Sequence, residues 1–258
     1  MKHAAAILAL GALVLTGCAG GGGAPRLDKR TRALIDQTLS TAPGGAQPST
    51  IVALEVAFGR LAAETTPAAA FLQYAASGAQ ANTPKGLIPV EDWVQQSGPP
   101  ARATKWSTRA VAMACDGALA ASTGRFTDAD GIIGNYVVIW QRQGDGAYRW
   151  AYHAAGPDVP QPPPRSRQAD GDIVVSALDA VQGLVASCPR GEGAIPAPPA
   201  IPIASDAPGN ASLSRDGTLR WRWQQEEGGR STFVAAEYFY EGRWLSAFEH
   251  NLASGLDQ

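Results

Sequence analysis

The sequence has few of the residues that build metal and nucleophile sites. Its 258 residues include only three cysteines and three histidines, and these form no His-Glu-x-x-His or Cys-x-x-Cys pattern. The Gly-x-Ser-x-Gly, Gly-Lys-Ser/Thr and Gly-x-Gly-x-x-Gly motifs are missing as well. We therefore expect no cofactor and no metal site, and the sequence does not support a metalloenzyme, a nucleotide-binding protein or a serine hydrolase.

An excess of charge of either sign is also missing. The chain has 21 lysines and arginines against 23 aspartates and glutamates, which gives a formal net charge of −2. A nucleic-acid partner is not expected, because there is no basic excess to neutralise phosphates. Glycine (29 residues) and proline (19 residues) together stay below the roughly 25–30% that is typical of disordered chains, so a folded core is expected.

The longest hydrophobic run lies at the amino terminus. Lys2 and His3 precede an apolar stretch over Ala4–Leu15, which is shorter than the roughly 20 residues that a helix needs to cross a bilayer. A short run of this kind is typical of a secretion signal. It ends in Leu15-Thr16-Gly17-Cys18, a tetrad that resembles the lipobox of bacterial lipoproteins.

This resemblance implies that residues 1–17 are a signal peptide and that Cys18 carries acyl chains such as palmitate. Two or more chains anchor a protein stably, since each buried CH₂ contributes about 0.8 kcal/mol. Ala19 in the next position implies delivery to the outer membrane, facing the periplasm. Residues 18–49 would form a flexible tether with one short helix over 27–39. The alternative is an ordinary signal peptide in which Cys18 is incidental.

Helical spacing follows the tether. Apolar residues recur at offsets of three and four between Ile51 and Leu61, which places them on one helix face. Thr65-Thr66-Pro67 predicts that the first helix stops and a second helix starts here, because threonine caps helices and proline is favoured at the first helical position. The second helix is expected to continue to Gly78, and a third short helix is expected over Val90–Gln96.

Beyond residue 103 apolar residues recur at every second position, which is typical of strands, and turn dipeptides separate the short segments. A turn at residues 144–146 would place Trp140 opposite Trp150 and Val138 opposite Tyr152. Both faces of these strands are too apolar for open solvent, so each must be covered. The predicted four-stranded meander covers residues 103–114, 118–126, 132–143 and 147–155. A smaller meander of three strands is expected within 211–258, with Arg220 and Arg222 interpreted as a solvated face.

Two phrases resemble the nuclear transport factor 2-like superfamily, and more narrowly its SnoaL-like and ketosteroid-isomerase-like branch. They are Ala-Phe-Leu-Gln-Tyr-Ala-Ala at 70–76 and Val-Ile-Trp-Gln-Arg-Gln-Gly-Asp-Gly-Ala-Tyr-Arg-Trp at 138–150. The resemblance covers residues 50–155 and implies an α+β fold in which helices and a curved antiparallel meander form a cone with a pocket. Residues 156–210 read as a proline-rich linker with a short ordered segment, whose residues 173–187 fit either a strand or a helix.

The pocket prediction follows from the assumed register of the strands. One face of the meander has smaller side chains, and we expect this face to line any pocket. The aromatic face is expected to be covered by the C-terminal segment with Trp221 and Trp223. The predicted ligand-binding residues are Asn135, Val137, Ile139, Ala151 and His153.

His153 is the first candidate for catalysis, since an imidazole with a pKa near 6.5 suits proton transfer at neutral pH. Asp92 and Tyr74 are candidates for an acid and a hydrogen-bond donor near the mouth of the cone. Each also has a structural interpretation: His153 and Tyr74 as core residues, and Asp92 as a solvated residue of a short helix.

Export exposes thiols to oxidation, and acylation of Cys18 would leave Cys115 and Cys188 as a pair. We predict a disulfide between them, the alternative being two buried free thiols.

The favoured function is a non-enzymatic envelope lipoprotein that binds a small apolar molecule or another envelope protein. The alternative is a small-molecule isomerase, dehydratase or cyclase that uses acid-base chemistry in the cone.

Overall fold

The computed structural model describes residues 45–96, 105–163, 180–188, 195–200 and 209–254. The predicted signal peptide, Cys18 and the tether helix over 27–39 lie outside these residues. Within the described part of the chain, no helix is both long and apolar enough to cross a bilayer.

Three helices pack beside the strands. α1 (Pro48–Glu64) and α2 (Pro67–Tyr74) each begin at a proline, and α3 covers Val90–Gln96 as predicted. Thr66 caps α2, because its Oγ1 accepts a hydrogen bond from the Ala69 amide at 3.1 Å. The predicted stop and restart between the first two helices is therefore confirmed.

The larger sheet has seven strands in the order β2-β1-β6-β5-β4-β3-β7. The four central strands β3 to β6 are the predicted antiparallel meander. β1 pairs in parallel with β6, and β7 pairs in parallel with β3. The strands are β1 (Ala75–Thr83), β2 (Gly86–Pro89), β3 (Lys105–Met113), β4 (Leu119–Thr127), β5 (Ile133–Arg142), β6 (Tyr148–Pro157) and β7 (Gln182–Val185).

Two expectations about these elements change. α2 ends at Tyr74 rather than near Gly78, because the chain continues as β1, whose backbone pairs with two neighbouring strands. The ambiguous stretch 173–187 contains the strand β7, while its residues 173–179 lie outside the described part.

The smaller sheet is antiparallel, in the order β11-β10-β9-β8. It has one strand more than predicted, since Gly209–Leu213 adds to its edge beside β9. The α+β class, with helices, a large sheet and a second small sheet, is confirmed. The four strands are β8 (Gly209–Leu213), β9 (Leu219–Gln225), β10 (Ser231–Tyr240) and β11 (Arg243–Ala253).

The large sheet lies between the helices and the small sheet. On one face, Val138 and Trp140 share a core with Ile51 of α1. On the other face, Ile139 packs with Leu219 of the small sheet. Both faces of the meander are covered, as their apolar character predicts.

A β-bulge in β6 corrects the predicted register. Trp140 does lie opposite Trp150, but Ile139 lies opposite Tyr152, so Ala151 is the extra residue. Side chains alternate between faces along a strand, and one additional residue exchanges the faces of everything beyond it. His153 consequently lies on the helix side, opposite Val138.

The predicted disulfide between Cys115 and Cys188 is confirmed. The two Cα atoms are 5.1 Å apart, and the residues are 73 positions apart in sequence. Cys115 follows β3 and Cys188 follows β7. The bond therefore fastens β7, at the edge of the large sheet, to β3.

Candidate functional site

A small cavity lies between the helices and the large sheet. Its volume is about 30 Å³, which is enough for one or two water molecules. Six aromatic rings and Val138 make up most of its wall, and the remaining wall residues are ionisable. The lining residues are Glu55, Phe58, Phe71, Trp106, Tyr136, Val138, Trp140, Trp150 and His153.

Glu55 holds the polar centre of this cavity, although it belongs to the apolar face of α1. Its Oε2 accepts hydrogen bonds from the hydroxyl groups of Thr108 and Tyr136, the latter at 2.8 Å. Its Oε1 accepts from the Ser122 hydroxyl and, at 3.4 Å, from Nε1 of Trp140, which shares its proton with Ser122 Oγ at 3.0 Å. Since a carboxylate offers about four lone-pair sites, the chain itself occupies all of them.

The environment of Glu55 acts on its ionisation in two directions. Burial raises the pKa of the carboxyl above its usual value, while the hydrogen bonds from Ser122, Thr108, Tyr136 and Trp140 oppose this. Burial, together with the adjacent carboxylate, also raises the pKa of Tyr136 well above its usual value. Tyr136 therefore stays protonated and acts as a donor to Glu55.

His153 lies in the wall of the same cavity, surrounded by rings. Its centroid is 4.9 Å from that of Phe71, and it stacks on Trp93 at 5.8 Å. Nε2 of this buried side chain has no hydrogen-bond partner among the described residues. Burial lowers its pKa to about 3, so the imidazole is neutral at physiological pH and a weak base.

The other predicted ligand-binding residues do not line this cavity. Val137 and Ile139 are fully buried and face the small sheet. The expectation that the smaller-residue face lines the pocket and the aromatic face meets the C-terminal sheet is therefore reversed. The helices cover the face that carries Val138 and Trp140. The bulge at Ala151 adds His153 to that face and moves Tyr152 to the other, where its ring centroid lies 4.8 Å from that of Trp221.

Asn135 lines a different feature, an open polar groove of about 480 Å³ near the ends of β5 and β6. Its side chain accepts a hydrogen bond from Arg125 at 2.9 Å and donates one to Asp158 at 3.0 Å. Arg125 and Asp158 also form a salt bridge. The polar groups of Asn135 are thus taken up by its own neighbours.

The two remaining catalytic candidates lie outside the cavity wall. Asp92 is exposed on α3, and Tyr74 is half-buried, with its ring 5.9 Å from that of Phe58. The structure therefore brings His153, but not Asp92 or Tyr74, to the cavity. In the described residues, no group of three or more histidine, cysteine, aspartate or glutamate side chains could hold a metal ion.

The comparisons with known proteins give little. No family model and no curated protein matches the sequence. A candidate ketosteroid isomerase from Parabacteroides distasonis ATCC 8503 is 15% identical, with a TM-score of 0.37, over 46% of this chain and 94% of its own. One from Shewanella frigidimarina NCIMB 400 is 11% identical, with a TM-score of 0.32, over 45% and 96%. Values this low establish no family and no function.

Proposed function

We propose that this chain is a lipid-anchored protein of the bacterial envelope whose folded part binds another molecule without transforming it. The observation that carries the proposal is the saturation of Glu55 by four donors of the chain itself. A general base needs a lone pair that faces its substrate. A cavity of about 30 Å³, which holds one or two water molecules, also leaves no room for a substrate.

The envelope location is supported by two features that lie far apart in the sequence. The Leu15–Cys18 tetrad resembles a lipobox, and the chain carries the Cys115–Cys188 disulfide. Disulfides persist in oxidising compartments such as the bacterial periplasm and are rare in the cytosol. The bound partner would be a small apolar molecule or another envelope protein.

A second candidate function is an isomerase, dehydratase or cyclase of a small molecule. The specific observation in its favour is that Glu55, Tyr136 and His153 line one cavity. A carboxylate, a phenol and an imidazole whose Nε2 has no partner in the described part of the chain are groups that can move protons beside a carbonyl. This function requires the aromatic wall to open and Glu55 to exchange a donor of the chain for a substrate.

An isomerisation assay tests the isomerase form of the second function. A β,γ-unsaturated ketosteroid is incubated with the parent, Glu55→Gln and, as matched control, Glu64→Gln from the exposed end of α1. We expect all three to leave the steroid at its uncatalysed rate, measured by the absorbance of the conjugated ketone. Turnover by the parent and Glu64→Gln, with a loss of about 10²-fold or more in Glu55→Gln, would establish the second function instead.

A further inference from the structure

A short proline-rich segment lies along the small sheet. Ile195–Ala200, with the sequence Ile-Pro-Ala-Pro-Pro-Ala, forms neither helix nor strand. Trp244 donates its Nε1 proton to the carbonyl oxygen of Pro196 at 3.1 Å. Arg220 donates from Nη1 to the carbonyl oxygen of Pro199 at 2.6 Å. Two side chains from different strands thus hold two backbone carbonyl groups of one segment.

Both of these side chains lie on the outer face of the small sheet. Arg220 follows Leu219, which is fully buried between the two sheets, and Trp244 precedes Leu245, which packs against the same core. Because successive side chains of a strand point to opposite faces, Arg220 and Trp244 point away from the large sheet. The proline-rich segment therefore covers a face that takes no part in the core between the sheets.

The spacing of the two carbonyl groups fits a polyproline II helix. That helix has three residues per turn, and Pro196 and Pro199 are three residues apart. Proline fixes its own φ near −65° and biases the preceding residue to the same extended region. Carbonyl groups one turn apart project from the same side of such a helix, which is the side that Trp244 and Arg220 contact.

The Arg220 side chain is held in place by its neighbours on the small sheet. Arg220 is only 6% exposed although it lies on an outer face, so its interpretation as a solvated residue is wrong. Its Nε donates to Glu237 at 2.7 Å, and the two side chains form a salt bridge. Its guanidinium lies 5.8 Å from the centroid of the Trp244 ring. The charge is thereby balanced and the donor directed at the segment.

The contacts do not depend on the side chains of the segment. Both hydrogen bonds end on backbone carbonyl groups, and Pro196 and Pro199 themselves stay exposed. Any segment with the same backbone conformation offers acceptors at the same spacing. Recognition of preformed polyproline II segments on aromatic surfaces is a recurrent mode of peptide binding.

We propose that Trp244, Arg220 and Glu237 form a docking surface for a Pro-x-x-Pro segment of another envelope protein. Ile195–Ala200 occupies this surface as an internal competitor, which a partner displaces. The proposal deepens the binding role proposed above and rests on it, since it names the class of partner. Failure of a peptide to bind does not change the isomerisation assay, so the failures of the two proposals are distinguishable.

The test uses a fluorescent peptide with the chain's own sequence Ala-Ile-Pro-Ala-Pro-Pro-Ala and a control peptide with alanine at every proline. The full chain is compared with a variant, the glycine-serine chain, in which residues 195–200 are replaced by glycine and serine at equal length. A tethered segment acts at an effective concentration in the millimolar range. We therefore expect the variant to bind the proline peptide more tightly than the parent does, by about tenfold if the dissociation constant is about 0.1 mM. The alanine peptide should bind more weakly than the proline peptide, because its polyproline II conformation is not fixed by proline.

Trp244→Phe in the glycine-serine chain removes the indole N–H but keeps a ring, and we expect at least about fivefold weaker binding, on the scale of one lost hydrogen bond. Trp221→Phe, the same change on the inner face of β9, should alter binding less than about twofold. Equal binding by parent and glycine-serine chains, or equal binding with and without the Trp244 indole, would overturn the proposal.

A second measurement covers the case in which the glycine-serine chain does not fold. The parent chain is labelled with 5-fluorotryptophan, and the Trp244 resonance is assigned from Trp244→Phe. A spin-labelled proline peptide at millimolar concentration should broaden that resonance more than the Trp221 resonance. No selective broadening at Trp244 would exclude the docking surface.

Discussion

Three hydroxyl groups and the Trp140 indole N–H converge on the Glu55 carboxylate. Truncation of Glu55 removes the carboxylate acceptor of the Thr108, Ser122 and Tyr136 hydroxyl groups, whereas Trp140 keeps its 3.0 Å hydrogen bond to Ser122 Oγ. A buried donor left without a partner costs about 1–3 kcal/mol, and part of this is recovered when water enters the space. We expect Glu55→Ala to lower the free energy of unfolding by about 3 kcal/mol. Denaturation in urea, with the midpoint and slope of the transition both fitted, measures this loss.

The matched control lies on the same helix. Glu64 is exposed at the end of α1, so Glu64→Ala should change the free energy of unfolding by less than about 0.5 kcal/mol. Glu55→Gln should fall between the two alanine variants, because an amide keeps the size of the side chain and one acceptor oxygen. Equal stability of Glu55→Ala and Glu64→Ala would contradict the hydrogen-bonded cluster.

His153 gives a prediction of pH dependence. Its pKa falls from 6.5 in the unfolded chain to about 3 in the folded protein, because burial disfavours the charged ring. The unfolded chain therefore binds a proton below pH 6.5 that the folded chain does not, and stability is lost as the pH falls toward 3. Between pH 7.5 and 5.5 this group should lower the free energy of unfolding by about 1 kcal/mol.

His153→Phe should remove this contribution while keeping an aromatic ring among its neighbours. The measurement is the difference between parent and variant at each pH. Glu55 is present in both proteins, and its raised pKa makes it stabilising at low pH and less so as the pH rises, so it cannot produce the loss of stability expected from His153 as the pH falls. An identical pH dependence in the two proteins would show that His153 is not buried as a neutral ring.

The sequence contains a signal for Glu55 but not for the residues around it. Glu55 lies four positions after Ile51 and three before Phe58, on a face whose other members are apolar. A lone acidic residue at such a position indicates a buried carboxylate. Its partners come from three strands, with Thr108 on β3 and Ser122 on β4, and no local pattern connects them to α1. They become neighbours only when the sheet forms.

At the level of elements, the disulfide ties β7 to the start of the β3–β4 turn. A bond between residues 73 positions apart restricts the unfolded chain, and the chain-entropy model gives about 4 kcal/mol for a loop of this length. We expect the double variant Cys115→Ser/Cys188→Ser to lose a similar amount in a denaturation experiment. The single variant Cys188→Ser should lose as much, since either change opens the loop. Two thiols that react with an alkylating reagent in the unfolded, unreduced parent would contradict the bond.

Elements with strong patterns were predictable, and elements placed by their neighbours were not. The meander β3–β6 follows from alternating apolar residues and glycine-containing turns. β1 has the sequence Ala-Ala-Ser-Gly-Ala-Gln-Ala-Asn-Thr, which lacks β-branched and aromatic residues except at its end. It is a strand because β6 and β2 supply backbone partners on both sides. The bulge at Ala151 is similarly invisible in an alternating pattern, yet it decides which face carries His153.

For the whole molecule, the apolar character of both sheet faces predicts two covering layers but does not say which layer covers which face. Helices contact the face with Trp140 and Trp150, and the small sheet contacts the face with Val137 and Ile139. Burial of apolar surface contributes about 25 cal/mol per Å² wherever it occurs. The hydrophobic contribution to stability therefore favours covering both faces but does not distinguish the two arrangements, which is why the sequence pattern alone does not predict them.

The position of the molecule in the cell is a separate prediction that depends on Cys18. The apolar run over Ala4–Leu15 is too short to span a bilayer as a helix, so membrane attachment would have to come from acyl chains. One acyl chain holds a protein only reversibly, whereas two or more hold it stably. All of the anchoring free energy would then come from the modification of a single thiol.

Cys18→Ser should therefore move the protein out of the membrane fraction, and Cys188→Ser should leave it there, although both variants remove one thiol. The parent and Cys188→Ser should carry the mass of the acyl chains on the first residue of the processed chain, and Cys18→Ser should not. Fractionation followed by mass spectrometry of the purified chains measures both effects. The prediction is wrong if Cys18→Ser stays in membranes to the same extent as the parent and the parent carries no acyl mass. An ordinary signal peptide would then explain this segment.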